Sequence, residues 1–514
     1  SEGYLLNQFL SPLTNEREDD WGGDAESRMR FPLEVFRAVR AAVGHDFPVM
    51  LRLSAADLMP GSSTEEETDA FAAALAHEGI DAISTGVGWH ESTVPTVQTA
   101  VPYGAWILPA ERVADAVHVV RPDLPVIAGG RIVDAADAER VLARGRIDAV
   151  AMARPFLADP RLVERSFSGQ SALVSRCICC DQACIDRSLV FEPVSCLVNP
   201  RAGQEAELSI AVDSEPRRIA VVGGGPAGLV AAEDLAIRGH RVTLFERRPR
   251  LGGQFVLAAR VPGKEDYGAW VASASARLSD PGVEILLDTA ATAAELRPFD
   301  GVVLATGVVP RHLSVPGAEL PSVLDYERAL LEGVPEGPVA IIGGGGIGVD
   351  VAGTLIESRD RGARNEAFAE RFGVQASPIE PAAGVGEAGR TEGESGGSLI
   401  TLLRRAGRFG SGTGITSRWV HLAALKHAGV RMLADLDYVR FGADGVEILR
   451  EEQTELIPAR TIIVCAGQER HDPLSEELAE LGVRFELVGG ARDARGVDAV
   501  RATSEGLRAA RSIT

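Results

Sequence analysis

Arg218-Ile-Ala-Val-Val-Gly-Gly-Gly-Pro-Ala-Gly-Leu229 decides the fold. The apolar strand Arg218 to Val222, four apolar residues after its arginine, ends directly in Gly223-x-Gly225-x-x-Gly228, and the stretch from Ala227 to Ile237 continues with helical character. Strand, glycine turn and helix in that order let a backbone approach a pyrophosphate at a helix N-terminus. Glu246, at the end of the next strand, stands where a carboxylate can take a ribose hydroxyl. The triplet alone is a weak signal, and a tight structural turn is its bland alternative. Glu246 at the right spacing, with Gly252-Gly253-Gln254 just after it, favours a FAD site.

Downstream the pattern repeats. The apolar strand Val339 to Ile342 opens Gly343-x-Gly345-x-x-Gly348, and the following strand, Leu399 to Leu403, ends in Arg404 and Arg405 with Arg408 shortly after. Arginines where an acid would otherwise meet the ribose match a 2′-phosphate and favour NADPH over NADH, with a solvated basic turn as the alternative. Gly301 to Gly307 and Thr461 to Gly467 are similar buried strands, each ending in Ala, one further residue or none, and Gly. That symmetry predicts a FAD-binding domain in two parts, 205–336 and 461–514, with an NADPH-binding domain, 337–460, inserted. The Gly-, Ala-, Glu- and Pro-rich stretch Ser377 to Ser398 reads as a mobile surface loop.

Upstream, residues 1–168 alternate helices (Met29–Val43, Glu65–Ala76, Ala110–Val120, Ala135–Ala143) with short apolar strands (Val49–Leu53, Ala82–Ser84, Pro125–Ala128, Ala149–Met152). This is the pattern of a parallel α/β sheet. Four strands are too few for a closed (β/α)₈ barrel, so the region is either a small open sheet or half a barrel whose other half lies upstream. The chain starts at Ser1 and not Met, which is the expectation for a fragment or a processed product.

Between these parts, residues 169–204 carry five of the six cysteines and little periodicity. Cys177-x2-Cys180-x3-Cys184-x11-Cys196 supplies four soft thiolates, three within eight residues, suited to an Fe–S cluster or to zinc. A zinc ribbon more often shows two separated Cys-x2-Cys pairs, and no His lies in this segment, so [4Fe–4S] is favoured. Cys179 is left over. Such clustering argues for a metal site and against a disulfide framework.

The whole composition is consistent with these parts. At 514 residues the prior is three or four domains; 45% hydrophobic and 24% charged residues exclude general disorder and fibrous classes. The formal charge of -21 argues against a nucleic-acid-binding chain. No apolar run reaches the length of a membrane span and no secretory leader opens the chain, so a cytoplasmic location is expected. Two nucleotide units and an iron–sulfur centre together point to electron transfer, with the front α/β region as the place for a second flavin.

The strings GYLLNQFLSPLTN, RLSAADL, TGVGWHE, AMARPFLADP, CDQACID, SCLVNPRAG and GGPAGL, and the order of parts, resemble the bacterial NADPH-dependent 2,4-dienoyl-CoA reductases. These old-yellow-enzyme relatives fuse an FMN barrel to an iron–sulfur site and a FAD/NADPH module. The resemblance runs along essentially the whole chain. It implies that 1–168 is the C-terminal half of the FMN barrel, with the first four strands missing before Gly3 and two sheet edges left bare. It places Arg52 beside the flavin ring, where a cation stabilises the anionic reduced form, and Gly130, Arg131, Ala153 and Arg154 at the FMN phosphate. For Arg52 a strand-end salt bridge is the alternative. The family's proton donor falls on Tyr4 and its helper on His90; a packed tyrosine and a loop histidine are the bland readings. Gln182, Gln254 and Lys264 fall near FAD and Trp419 near the nicotinamide. Two departures stand out: GGARDARGVDAVRA has Arg492 where the family's acid is expected and Asp493 one place later, and Ile415 stands where a lysine would suit the phosphate.

By that resemblance the reaction belongs to unsaturated fatty-acid β-oxidation: hydride passes from reduced FMN to the far end of a conjugated dienoyl-CoA and a proton from Tyr4 to the adjacent carbon, giving a 2-enoyl-CoA. A sister enzyme acting on another enoate or enone is the nearest rival. An amine dehydrogenase of the same architecture would have no use for Arg404 and Arg405. A module that only carries electrons from NADPH, without FMN, is the rival from a different class.

Overall fold

The computed structural model describes residues 1–279, 282–357, 361–375 and 399–514. The loop expected over Ser377 to Ser398 lies outside the described residues. The chain divides into two compact units: one holds Ser1–Phe156 and the segment beginning at Arg361, the other Leu157–Asp360 and the remainder.

In the first unit, β1 (Met50–Ala56), β2 (Ala82–Val87), β3 (Val126–Gly129) and β4 (Ala149–Ala151) form a parallel sheet in sequence order. Each strand is joined to the next by a helix, the topology of successive units of a (β/α) barrel. The helices begin where the sequence places capping groups: Asp24 accepts from Ser27 N–H ahead of Ala25–Val43, and Thr64 and Glu67 make a reciprocal capping box ahead of Glu65–His77. Phe71, Leu75, Ile80, Ile83, Val113 and Val126 form the core between sheet and helices. A small satellite core joins Val101, Ala105 and Trp106 to Phe368, from the helix Arg361–Phe372, which follows the second glycine motif in sequence.

The second unit repeats one architecture twice. β5 (Arg218–Val222), β6 (Arg241–Phe245), β7 (Glu284–Leu286) and β8 (Gly301–Leu304) form a parallel sheet in the order β8-β5-β6-β7. After β9 (Val308–Pro310) and β10 (Val323–Asp325), β11 (Val339–Ile342), β12 (Ile400–Leu403) and β13 (Arg431–Leu433) build the second parallel sheet. β14 (Asp437–Gly442), β15 (Gly445–Arg450) and β16 (Gln453–Pro458) make an antiparallel meander, and β17 (Thr461–Val464) returns between β10 and β11. β18 (Gln468–Arg470) pairs with β9, and β19 (Phe485–Leu487) adds to the outer side of β8. The second sheet is thus completed by a strand that follows the insertion, and the first by one later still. β8, β11 and β17 are buried throughout, and β5 from Ile219 onward, which explains why they read as apolar runs.

No helix among the described residues is long and apolar enough to cross a membrane.

Candidate functional site

In the first unit His90, Gly130, Arg131, Ala153 and Arg154 follow the C-terminal ends of strands, while Arg52 lies within β1. Glu2 N–H donates to Ser54 Oγ at 2.9 Å and Gly3 N–H to Asn7 Oδ1 at 3.0 Å, which pins the turn before the helix Leu5–Leu10. Gly3 has a positive φ of 84° and lies against the Trp89 ring, so the next residue, Tyr4, is held opposite the loop that follows β2. There the Tyr4 hydroxyl lies 3.1 Å from His90 Nε2, with the two rings edge to face. Tyr4 is 63% exposed, so this is not the packed-core tyrosine of the bland reading.

Arg52, in β1, makes an ion pair with Glu2, with Nη2 2.7 Å from Oε1. The strand-end salt bridge is therefore formed, although the guanidinium side chain remains half exposed. Gly130 and Arg131 follow β3, and Ala153 and Arg154 follow β4, its parallel neighbour. The structure brings these four to one edge but turns both guanidiniums onto backbone: Arg131 Nε donates to Val101 O at 2.8 Å and Arg154 Nη1 to Val97 O at 2.8 Å. Arg131 also lies over the Tyr103 ring. At Gly130 an added Cβ would meet Trp106 at 2.8 Å, so the indole closes over this turn.

In the second unit the two glycine motifs are built alike. Gly223 and Gly343 have φ of 109° and 112°, and a Cβ on either would strike a carbonyl of the neighbouring strand end, Ala305 O at 2.3 Å and Cys465 O at 2.4 Å. A Cβ at Gly228 or Gly348 would fall within 2 Å of the carbonyl of Gly223 or Gly343. Each third glycine therefore lets its helix seat on the turn, and Gly225 and Gly345 cap Pro226–Ile237 and Gly346–Ile356.

Glu246 accepts from Gly224 N–H and Arg248 N–H, both at 2.8 Å. A carboxylate at the glycine turn is thus in place. Gly253, which packs on Gly225, lines with Arg248, Arg250 and Val256 a cavity of about 250 Å³ beside that turn. Gln254 Nε2 donates to Glu327, which also pairs with Arg248. Lys264, expected beside FAD, is paired with a residue of the second nucleotide-binding motif: its Nζ lies 2.6 Å from Asp350 Oδ1, two residues after Gly348. Nearby His421 is half-buried, and desolvation together with the Lys264 charge lowers its pKa to about 4.

Arg404 folds back on the second turn, with Nη1 2.9 Å from Gly344 O, while Arg405 and Arg408 are exposed. Trp419 is 38% exposed on the helix Ile415–His427. Arg492 lies on the surface 3.7 Å from Glu505, and Asp493 is paired with Arg495.

In the cysteine segment the Cys180 thiol is pushed well up, first by burial and then by the charges of Cys196, Asp181 and Cys184, which therefore share its surroundings. Cys177 Sγ lies 4.0 Å from Cys179 Sγ. Among the described residues no three His, Cys, Asp or Glu side chains converge as ligands of one metal ion. Cys180, Cys184 and Cys196 nonetheless share surroundings, and with Cys177, which faces Cys179, they are buried or half-buried thiols of the soft kind a cluster requires. Gln182 Oε1 is buried there without a hydrogen-bond partner. Tyr267 adjoins the same group, and its phenol is raised by burial and by Cys180 and Asp350.

Glu2, Glu327 and Asp350 are missing from the sequence reading. Only Asp350 had a local signal, its place two residues after a glycine motif; the others matter through partners far away in sequence.

Residues 1–171 match the NADH:flavin oxidoreductase / NADH oxidase family and residues 217–494 the pyridine nucleotide-disulphide oxidoreductases. The chain belongs to the oxidoreductases that fuse these two modules. A metal reductase of Desulforamulus reducens is 37% identical over 96% of this chain and 72% of its own length. A cinnamate reductase of Clostridium sporogenes is 36% identical over 68% of this chain and 54% of its own, so the chain spans only about half of that relative. Among solved structures, a 2-naphthoyl-CoA reductase in complex with 2-naphthoyl-CoA is similar with a TM-score of 0.86 and 27% identity, over 99% of this chain and 72% of that one. The expected fold class is therefore established: a barrel-type flavin oxidoreductase region followed by Rossmann-type dinucleotide domains.

Proposed function

We propose that this chain belongs to a cytoplasmic NADPH-dependent reductase of conjugated alkenes, with 2,4-dienoyl-CoA as substrate and 2-enoyl-CoA as product. The observation that carries the reading is the Tyr4–His90 pair, 3.1 Å apart at the catalytic edge of a β/α unit, in a chain that also holds two dinucleotide folds. The cinnamate and 2-naphthoyl-CoA reductases, both named for conjugated acyl compounds, support the substrate class.

When bound, FMN and FAD would supply hydride chemistry and a [4Fe–4S] cluster one-electron transfer between them. Cys177, Cys180, Cys184 and Cys196 would hold the cluster, with Gln182 beside it. Arg52, Gly130, Arg131, Ala153 and Arg154 would hold FMN, the last two arginines by exchanging backbone carbonyls for phosphate oxygens. Gly223, Gly225, Gly228, Glu246, Gly253 and Gln254 would hold FAD. Gly343, Gly345, Gly348, Arg404, Arg405, Arg408 and Trp419 would hold NADPH, with Lys264 bridging the two dinucleotide modules through Asp350.

Tyr4 is the proton donor. Its phenol is a weak acid, and His90 Nε2 at hydrogen-bond distance polarises it and returns a proton after turnover. One NADPH and one proton are consumed per double bond reduced, with the proton delivered to carbon by Tyr4 Oη. The test is anaerobic assay of the cofactor-loaded enzyme with a 2,4-dienoyl-CoA. No NADPH-dependent loss of the diene would sink the proposal, and faster turnover of a free enone would move the substrate to the enoate/enone class. The metal reductase relative favours a second reading, in which the chain passes electrons from NADPH to an external acceptor. Acceptor reduction with FAD and iron bound but no FMN would select it.

A further inference from the structure

The helix Ile415–His427 begins at Gly414, which has no side chain to cap it, and no side-chain cap comes from its own sequence. Its first turn nevertheless finds a side-chain acceptor. Asp186, two residues after Cys184 and 230 positions away, points Oδ1 at Thr416, accepting from its backbone N–H at 2.7 Å and from its Oγ1 at 2.5 Å. Asp186 and Thr416 are both more than nine-tenths buried. The approach is so close that a Cβ at Gly414 would lie 1.9 Å from Asp186 Oδ2, so the residue there must be glycine for the carboxylate to enter. A carboxylate at a helix N-terminus also meets the positive end of the helix dipole.

The other side of the same turn is stitched to the second glycine motif. Gly410 N–H donates to Gly344 O at 2.8 Å and Gly346 N–H to Ser411 O at 3.1 Å. Residues 410–416 are therefore a strap with two anchors, the dinucleotide turn at one end and the cysteine segment at the other. The strap leads from Arg404, Arg405 and Arg408 into the helix bearing Trp419 and His421. Its geometry sets where those side chains stand.

We propose that Asp186 is a positioning residue: by capping the helix Ile415–His427 from the cysteine segment, it holds the wall of the pyridine-nucleotide site in register with the electron-accepting centres. This rests on the reading of residues 343–419 as the NADPH site. Asp186 acts through the strap, by its hydrogen bonds to Thr416. Removing it takes from Thr416 N–H and Oγ1–H the carboxylate oxygen that both donate to, and with it the charged cap of the helix.

The experiment compares D186A, D186N and T416V with the unaltered holoenzyme in two measurements. The first is amide hydrogen exchange over residues 410–420. The second is anaerobic stopped-flow reduction of the bound flavin by NADPH, with dithionite as a donor that needs no nucleotide site. In D186A, exchange over 410–420 should rise about tenfold, the loss expected for a charged hydrogen bond. The NADPH concentration for half-maximal flavin reduction should rise by about the same factor, with dithionite reduction unchanged. D186N keeps an acceptor oxygen and should recover most of both, and T416V, which loses only the hydroxyl, should show a smaller change in the same direction. Unchanged exchange in D186A overturns the strap. Faster exchange with an unchanged NADPH dependence overturns its positioning role and leaves a purely structural cap. If D186A loses flavin or iron, T416V decides, because it leaves the cysteine segment unaltered. If the unaltered enzyme takes no electrons from NADPH, the nucleotide-site reading and with it the positioning role fail, while the exchange data still decide the strap.

Discussion

At the scale of single residues, the chemistry rests on side chains whose partners differ in how far away they lie in sequence. Tyr4 and His90 meet across 86 positions, and nothing local in either stretch announces the 3.1 Å contact; resemblance named the pair and the structure placed it. Replacing Tyr4 with phenylalanine removes the proposed proton donor and little else, because the ring is largely exposed. Turnover of a conjugated substrate should fall by about 10²-fold or more while NADPH still reduces the flavins at the original rate. Equal turnover in Y4F would assign the proton to another group. His421 makes a separate prediction through acidity. Burial and the Lys264 charge lower its pKa to about 4 from an ordinary value near 6.5, so the folded state resists a proton that the unfolded chain accepts. The stabilisation from keeping it neutral is complete above about pH 6.5 and is lost as pH falls toward 4, a span worth about 3 kcal/mol. H421Q should flatten the fall in urea midpoint between pH 7 and pH 5; an unaltered slope would show that other groups set it.

At the scale of elements, the strand–turn–helix units were the most legible part of the molecule. β5 and β11 coincide with the apolar runs that reveal them, because strands buried on both faces admit no polar interruption. The glycine spacings were equally readable, since each third glycine answers a local contact within its own turn. What could not be read is what one element does to another. Lys264 carries no sign that it will pair with Asp350, and Gly414 gives no sign that its cap arrives from residue 186. Sequence periodicity records burial, not the identity of a distant polar partner. The repeated geometry makes a paired prediction. A Cβ in G228A would fall 1.9 Å from Gly223 O, and one in G348A 1.8 Å from Gly343 O, so in each case the helix must lift from its turn. G228A should lose FAD on gel filtration while still binding NADPH. G348A should keep FAD and lose NADPH. Loss of the same nucleotide from both variants would contradict the assignment of one turn to each.

At the scale of the whole molecule, chain order and compact units disagree at one place. Residues 361–375 lie between the second glycine motif and β12, inside the stretch read as an inserted nucleotide domain, yet they group with the four-stranded unit. The reason is a small apolar core: Phe368 is 5% exposed, with its ring against Trp106, while Phe372 and Val374 pack around Val101 and Ala105. Trp106 in turn closes over Gly130, at the edge proposed for the FMN phosphate. Hydrophobic spacing in 361–372 could announce a helix but not the core that would take it. Each unit has a core of its own, so unfolding in urea should resolve into two transitions, and removing the Phe368 ring should act on one of them. F368A deletes a buried aromatic and should destabilise the unit containing Trp106 by about 3 kcal/mol, leaving the other transition in place. The two can be told apart because Trp21, Trp89 and Trp106 report on the first unit and Trp270 and Trp419 on the second. W270F and W419F together leave a fluorescence signal from the first unit alone. A shift of that signal in F368A supports the docking of 361–375 on the four-stranded unit, and a shift confined to the complementary W21F/W89F/W106F background would return the helix to the nucleotide-binding unit.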